Sequence, residues 1–412
     1  MNLLAYPAYQ AMADLALPLR ATATLARTTL AAWPAFAGGL DARELDAGWE
    51  MLEMAGLTHA RPPFGIDAVQ VDGNPVRVTE EVVKRTPFAT LLRFRKDAPA
   101  PQPRVLLVAP MSGHFATLLR GTVRTMLADH DVYITDWHNP RDVPLAAVSL
   151  MAADNDPAQP ASMTLMAGPI DCRVNPTAVN TLANSKPIEW FERNLISAVP
   201  GGFPGAHRRV YPGFVQLGAF MSMNLERHLA SFAEMRRERA KGDVTKADAI
   251  RAFYSEYFAT TDLTAEFYLE TVRSVFQDYA LPLGKLKVGD RLVEPHAIRR
   301  TALLTIEGEK DDICAVGQTV AAQALCTGLR PYMKTHHVQT GVGHYGVFNG
   351  RRWDTQIYPL VRSTIHDHEP RARRFAMTAA SGGADQITLR ALLEADSHAA
   401  VAISKAAQAQ LK

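Results

Sequence analysis

Cysteine is scarce in this chain: Cys172, Cys314 and Cys326 are the only three in 412 residues, and no CxxC pair occurs. That is too few for a disulfide framework, so a reducing, cytoplasmic compartment is the expected setting. Long apolar runs are missing too, none reaching the roughly 18 residues that a membrane-spanning helix needs. No Lys or Arg precedes Arg20, and Pro7 and Asp14 interrupt what would be the apolar part of a signal peptide, so neither secretion nor a membrane span is expected. Charge of one sign is absent as well. The 44 Lys plus Arg face 42 Asp plus Glu, a net of +2, which leaves no basic field to gather a phosphate backbone and argues against nucleic acid as a partner.

What is present is an ordinary globular composition, 47% apolar and 21% charged, in a length that suits two or three domains or one large domain with an insertion. Residues 1–60 read as an N-terminal helical appendage. Its run 21–33 places Leu25, Leu30 and Trp33 toward one side of a helix that either docks on the protein's own core or lies on an apolar surface. Residues 61–174 read as the first part of an α/β core. A strand pair over 68–78 and 88–95 is broken by Asp72, Gly73 and Asn74. The run RVLLVAP from Arg104 has the pattern of a strand buried on both faces, followed by the loop MSGH, a helix over 115–129 and a second buried strand over 131–137. Strand, loop, helix, strand is the unit of a parallel sheet. A short helix opening at Pro144 and a strand over 162–168 continue the pattern.

Between 175 and 298 the alternation stops, and helical stretches over 188–198, 220–239 and 247–278 suggest an inserted helical cap. It resumes over 299–366 with a strand over 300–306, the acidic loop EGEKDD, a helix over 317–325, a strand over 334–339 and the loop TGVGHYGVFNG. Residues 367–412 read as a tail. The expected class is therefore α/β, a mostly parallel sheet with a helical insertion.

Ligands of open α/β sheets bind beyond the carboxyl ends of the strands, and three polar loops occupy such ends: 111–114, 307–312 and 341–346. Asp311 after a late strand and His344 after the final one, 344 − 311 = 33 residues apart, follow the order in which an α/β-hydrolase presents its orienting acid and its general base. Such an acid fixes the imidazole tautomer so that the other nitrogen can take a nucleophile's proton. The alternative is a loop histidine bonded to backbone and a carboxylate capping a helix. Residues 341–346 also satisfy G-x-G-x-x-G, but that fingerprint belongs between the first strand and first helix of a βαβ unit, and few strands follow here. The pairs His336, His337 and His366, His368 lack a third ligand at a recurring spacing, so neither a metal nor a cofactor is expected.

Long stretches of the chain resemble the intracellular poly(3-hydroxybutyrate) depolymerases. They include PMSGHFATLLRGTVRTML from Pro110, VYITDWHNPRDVP from Val132, SMTLMAGPIDCRVNPTAVN from Ser162 and PIEWFERNLI from Pro187. RRVYPGFVQLGAFMSMNLERH from Arg208, TALLTIEGEKDDICAVGQT from Thr301 and GVGHYGVFNG from Gly341 complete the set. The resemblance implies an α/β-hydrolase with a helical cap that cleaves ester bonds of a storage polyester through an acyl-enzyme. It places the acid on Asp311 and the base on His344, with Ser112, Gly113 and His114 on the oxyanion or substrate-lining side. It also implies polyhydroxybutyrate polymer or oligomers and the granule surface as partners.

The same resemblance implies a cysteine nucleophile in a valine-cysteine-glutamine-proline turn after the central strand. Here the helix that should follow, LAAVSLMAAD over 145–154, comes directly after RDVP, so that about forty residues of the family's strand-turn-helix pattern are absent. No G-x-S-x-G or G-x-C-x-G occurs. Ser112, Cys172 and Cys314 are the substitutes to weigh, though none stands on a strand-to-helix elbow. The rival reading is a catalytically inactive homologue that binds polymer granules. With a central βα unit missing, re-pairing of the 131–137 strand with the 162 strand is the expected repair, since unpaired buried backbone groups cost roughly 1–3 kcal/mol each.

Overall fold

The computed structural model describes residues 5–370 apart from 34–36, 38–39, 58, 87–88, 98–100, 140–159, 202, 204 and 224. Two helices come first, α1 (Ala5–Ala32) and α2 (Ala42–Glu53). Asp41 opens α2 by accepting the Arg43 N–H at 2.8 Å, which satisfies one of the donors a first helical turn leaves free.

The sheet begins with a tight hairpin. β1 (Ala68–Val71) and β2 (Asn74–Arg85) pair antiparallel with Val71 opposite Asn74. Asp72 and Gly73 make the turn at φ 49° and 79°. Left-handed backbone at both central positions matches the twist of the flanking strands, and Asp-Gly tolerates it. β3 (Ala89–Lys96), β4 (Arg104–Leu107) and, after α3 (Arg120–Met126), β5 (Asp131–Trp137) complete a sheet in the order β1-β2-β3-β5-β4. Only β4 and β5 run parallel. α3 crosses between them and buries Val123 and Met126.

β6 (Ser162–Met166) starts a second sheet and is followed by the insertion. This opens with α4 (Ala178–Ser185), held by a capping box between Thr177 and Asn180, and α5 (Ile188–Leu195). Short strands β7 (Ser197–Ala198) and β8 (Arg209–Tyr211) lead into α6 (Gly213–Met223), α7 (Leu225–Lys241) and α8 (Val244–Tyr257). β9 (Leu263–Thr264), which pairs with β8, precedes α9 (Ala265–Thr271), and the small pair β10 (Lys287–Val288) and β11 (Arg291–Leu292) ends the insertion. The helix expected over 220–239 is thus parts of two, and that expected over 247–278 is interrupted. After Tyr257 the chain turns to bridge Thr260 with His114 and then caps α9 with the Thr264 hydroxyl.

β12 (Ala302–Gly308), α10 (Ala321–Leu325) and β13 (Lys334–Gln339) follow, and β6 and β13 flank β12 in parallel. All seven residues of β12 are buried, as expected of a strand covered on both faces. The last helix, α11 (Tyr358–Asp367), packs on β6, β12 and α3. One apolar core joins the two sheets: Val105, Leu107, Val132 and Ile134 from the first meet Met166, Leu304 and Ile306 from the second, with Val347 and Trp353.

Two expectations are corrected. The 131–137 strand does not pair with the 162 strand: β3 and β4 occupy both of its edges, and a strand has only two, so β6 takes β12 alone among the described residues. Nor is the strand from Arg104 buried on both faces, since Leu106 is 53% and Val108 47% exposed. Among the described residues nothing covers that face of β4, and its outer edge carries no strand. The helix read over 145–154 and the tail from 371 lie outside the described residues.

The N-terminal helices are fastened to the cap through a buried ion-pair cluster. Glu50 of α2, fully buried, accepts from Arg239 of α7 at 2.7 and 2.9 Å and from Arg251 of α8 at 2.9 Å, and lies 3.1 Å from Arg27 of α1. At the other end of α1 the buried Tyr6 hydroxyl donates to Asp262 at 2.8 Å, whose second oxygen accepts the Gly213 N–H that begins α6.

Candidate active site

Asp311 and His344 meet at the carboxyl ends of β12 and β13. His344 Nδ1 lies 2.8 Å from Asp311 Oδ2. An ionised carboxylate only accepts, so the proton sits on Nδ1 and Nε2 is left with a lone pair. The carboxylate is fixed from its other side, with Oδ1 accepting the backbone N–H groups of Ile313 at 2.9 Å and Cys314 at 2.8 Å. Its side chain is wholly buried while the imidazole remains 21% exposed, so the acid is shielded and the base open to a reactant.

The two loops are stitched together by backbone. Lys310 N–H donates to Val342 O at 2.9 Å and Glu309 N–H to Gln339 O at 3.0 Å. The approach is so close that a Cβ at Gly308 would stand 2.9 Å from Val342 O, which is why glycine ends β12. Glu307, fully buried, holds the segment beyond the acid by accepting the N–H groups of Thr319, Val320 and Gly317 at 2.7, 2.9 and 2.9 Å. The sequence puts Glu307 in a polar loop and gives it no such role. The signal available was a carboxylate at the end of a run of buried residues, where only a hydrogen-bonded charge is tolerated.

Aromatic rings connect this pair to the cap and to the loop after β4. Tyr345 and Phe348 stand edge-on to the His344 ring, at 5.7 and 5.6 Å. Tyr257 of α8 lies between the loops, 5.8 Å from Tyr345 and 5.4 Å from His114. In the latter loop Gly113 adopts φ +82°, and Gln216 fills the place of a side chain, its amide nitrogen only 2.0 Å from where a Cβ would stand. Gly113 O accepts the Thr261 N–H at 2.8 Å. His114 is buried rather than cleft-lining. Its Nε2 lies 3.2 Å from Tyr257 O, its Nδ1 has no described partner, and burial pushes its pKa down to about 4, so it is neutral near pH 7. Ser112, half-buried on the same turn, makes no described hydrogen bond to His344.

Among the described residues no thiol is hydrogen-bonded to His344. All three are buried, and burial pushes Cys172 and Cys314 up to about 12 and Cys326 above its ordinary value. The Cys314 sulfur faces the Thr319 hydroxyl at 3.5 Å. Among the described residues no Ser, Thr or Cys side chain is hydrogen-bonded to Nε2 of His344, and no group of three or more His, Cys, Asp or Glu could hold a metal ion. His336 and His368 of the two histidine pairs bond Thr305 and the Thr364 carbonyl.

The family model described as "PHB de-polymerase C-terminus" matches residues 167–369, a span that contains the insertion, the acid loop and the histidine loop. Over these residues the chain is similar to the PHB depolymerase family. The match supports a hydrolase, and Asp311 and His344 both fall inside the PHB depolymerase region. Solved structures similar to the chain include carboxyl esterase 2 from the mycorrhizal fungus Tuber melanosporum, at 12% identity and a TM-score of 0.36, covering 77% of this chain and 96% of that one. Epoxide hydrolase A from Mycobacterium thermoresistibile matches at 12% identity and a TM-score of 0.36, covering 71% and 98%. A 2-hydroxy-6-oxo-6-phenylhexa-2,4-dienoate hydrolase from Rhodococcus matches at 12% and 0.34, covering 71% and 99%. None of the curated proteins matches the chain in sequence. Among the described residues no helix is long and apolar enough to cross a membrane.

Proposed function

We propose that the chain is a cytoplasmic hydrolase of ester bonds in a polyhydroxybutyrate-type storage polyester, working at the granule. The observation that carries this reading is the hydrogen bond between buried Asp311 and partly exposed His344 inside the matched region. Asp311 holds the imidazole in one tautomer and steadies the imidazolium that forms. His344 Nε2 takes the proton of the attacking hydroxyl or thiol and then delivers it to the alkoxide that leaves. In the second half it takes a proton from water, which cleaves the acyl-enzyme. The turn at Ser112 and Gly113 is assigned the oxyanion side, with the buried His114 packed behind it. The attacking atom is assigned to no described residue, because the buried thiols are protonated near pH 7 and none is hydrogen-bonded to His344. Release of 3-hydroxybutyrate from amorphous granules tests the reading. Asp311→Asn should cut release by roughly 10²–10⁴-fold and His344→Ala should abolish it, and a rate unchanged by both substitutions refutes it.

The second reading is a polymer-binding homologue that no longer hydrolyses. What favours it is the same lack of a nucleophile beside His344. It predicts co-sedimentation with granules and no product, and turnover sensitive to an acylating agent eliminates it.

A further inference from the structure

We infer that α1 is the granule-docking element, and that the stripe Ala8, Met12, Leu15, Leu19 and Thr22 lies on the uncharged surface of the polyester. This deepens the proposed function and rests on its polyester substrate. The spacing of 4, 3, 4 and 3 residues puts these side chains on one helix face over about 21 Å. All five are exposed, Met12, Leu15 and Leu19 by 71%, 75% and 58%. A helix in an aqueous protein ordinarily turns such a stripe inward. Here the anchoring is done by other residues. Tyr6 is tied to Asp262 at one end and Arg27 to the Glu50 cluster at the other, so the helix is fixed to the protein through residues that are not on the stripe.

Charge decides the occupant. α1 contains only Asp14, Arg20 and Arg27 as charged residues, and none is on the stripe. Asp14 accepts from Gln10 at 2.7 Å, Arg20 donates to the Glu53 carbonyl at 3.0 Å, and Arg27 is held by carboxylates of α2. Helices that settle on anionic lipid carry Lys and Arg along their polar face, and helices that pair with a copy of themselves carry charges flanking the seam. Over the stripe's span, Ala8 to Thr22, the only charges are Asp14 and Arg20, and Arg20 is turned to the Glu53 carbonyl, so α1 has neither pattern. An uncharged, apolar polyester surface is the complement.

The test uses the full chain and amorphous poly(3-hydroxybutyrate) granules, with bound protein measured by sedimentation against granule concentration. The triple variant M12Q/L15Q/L19Q should bind at least about tenfold more weakly with an unchanged thermal melt, because the three positions are exposed. L182Q/L229Q, at exposed apolar positions off α1, should bind like the wild type. Equal binding by the triple variant overturns the assignment. So does a wild-type dimer that the triple variant turns into a monomer, or tighter binding to phosphatidylglycerol vesicles than to granules. Granules bound alike by wild type and triple variant, with soluble 3-hydroxybutyrate oligomers still cleaved, would remove the docking face and leave the hydrolase. A wild type that binds triacylglycerol droplets as well as polyester and cleaves neither would remove the polyester reading instead.

Discussion

Nδ1 of His344 faces Asp311 at 2.8 Å, while its other nitrogen, Nε2, has no hydrogen bond among the described residues. Replacing Asp311 by Asn keeps the shape and lets the ring choose the other tautomer. Any ester hydrolysis should then fall by roughly 10²–10⁴-fold. Independently of turnover, the low-field proton resonance of His344 Nδ1–H should be present in the wild type and lost in Asp311→Asn.

The buried, protonated thiols set an expectation for chemical labelling. Iodoacetamide at pH 8 should leave the native chain unmodified and add three carbamidomethyl groups after denaturation, as read by intact mass. A single rapid adduct in the native state would reveal a reactive cysteine and make it the candidate nucleophile.

Acid should weaken the fold earlier than carboxylate titration would. Burial lowers His114 and His130 from 6.5 to about 4. Between these values the unfolded chain binds protons that the native chain does not, so stability falls as pH drops from about 6.5 toward 4. Each histidine should account for about 2 kcal/mol of that loss by pH 5. Urea titrations at pH 8 and pH 5 measure the total, and His114→Phe should remove roughly half of the difference.

Glu50 is a charge that its neighbours must balance. Its hydrogen bond is the main cause holding the Arg239 guanidinium above its ordinary pKa. Glu50→Gln strips the central anion from among Arg27, Arg239 and Arg251, and should destabilise the chain by about 3–5 kcal/mol in urea unfolding. Substitution of Glu44, whose bridge to Arg236 is exposed on both sides, should cost less than about 1 kcal/mol.

Legibility in the sequence followed periodicity and spacing. The strand over 334–339 has the observed ends of β13, and the Asp-Gly turn is where the hairpin turns, because both signals are local. The order of Asp311 and His344 across two strands was enough to bring the pair together. What local patterns could not show was partnership. The apolar run from Arg104 looks the same whether its outer edge is paired or bare, and nothing in the 131–137 stretch announces that β3 takes its second edge. His114 reads as a polar loop residue; its burial depends on Phe220 and Tyr257, more than 100 residues away. Glu50 gave no sign of three arginines drawn from three other helices.

Among the described residues the outer edge of β4 carries no strand, which bears on how the molecule comes apart. A continuous ladder makes a sheet melt as a unit, because each strand's loss removes its neighbour's partners. Between β4 and β6 the described residues supply no rung, and the halves adhere through side chains such as Val132, Leu304 and Trp353. Amide protons of β6 are therefore expected to exchange well before those of β12, which is clasped on both flanks.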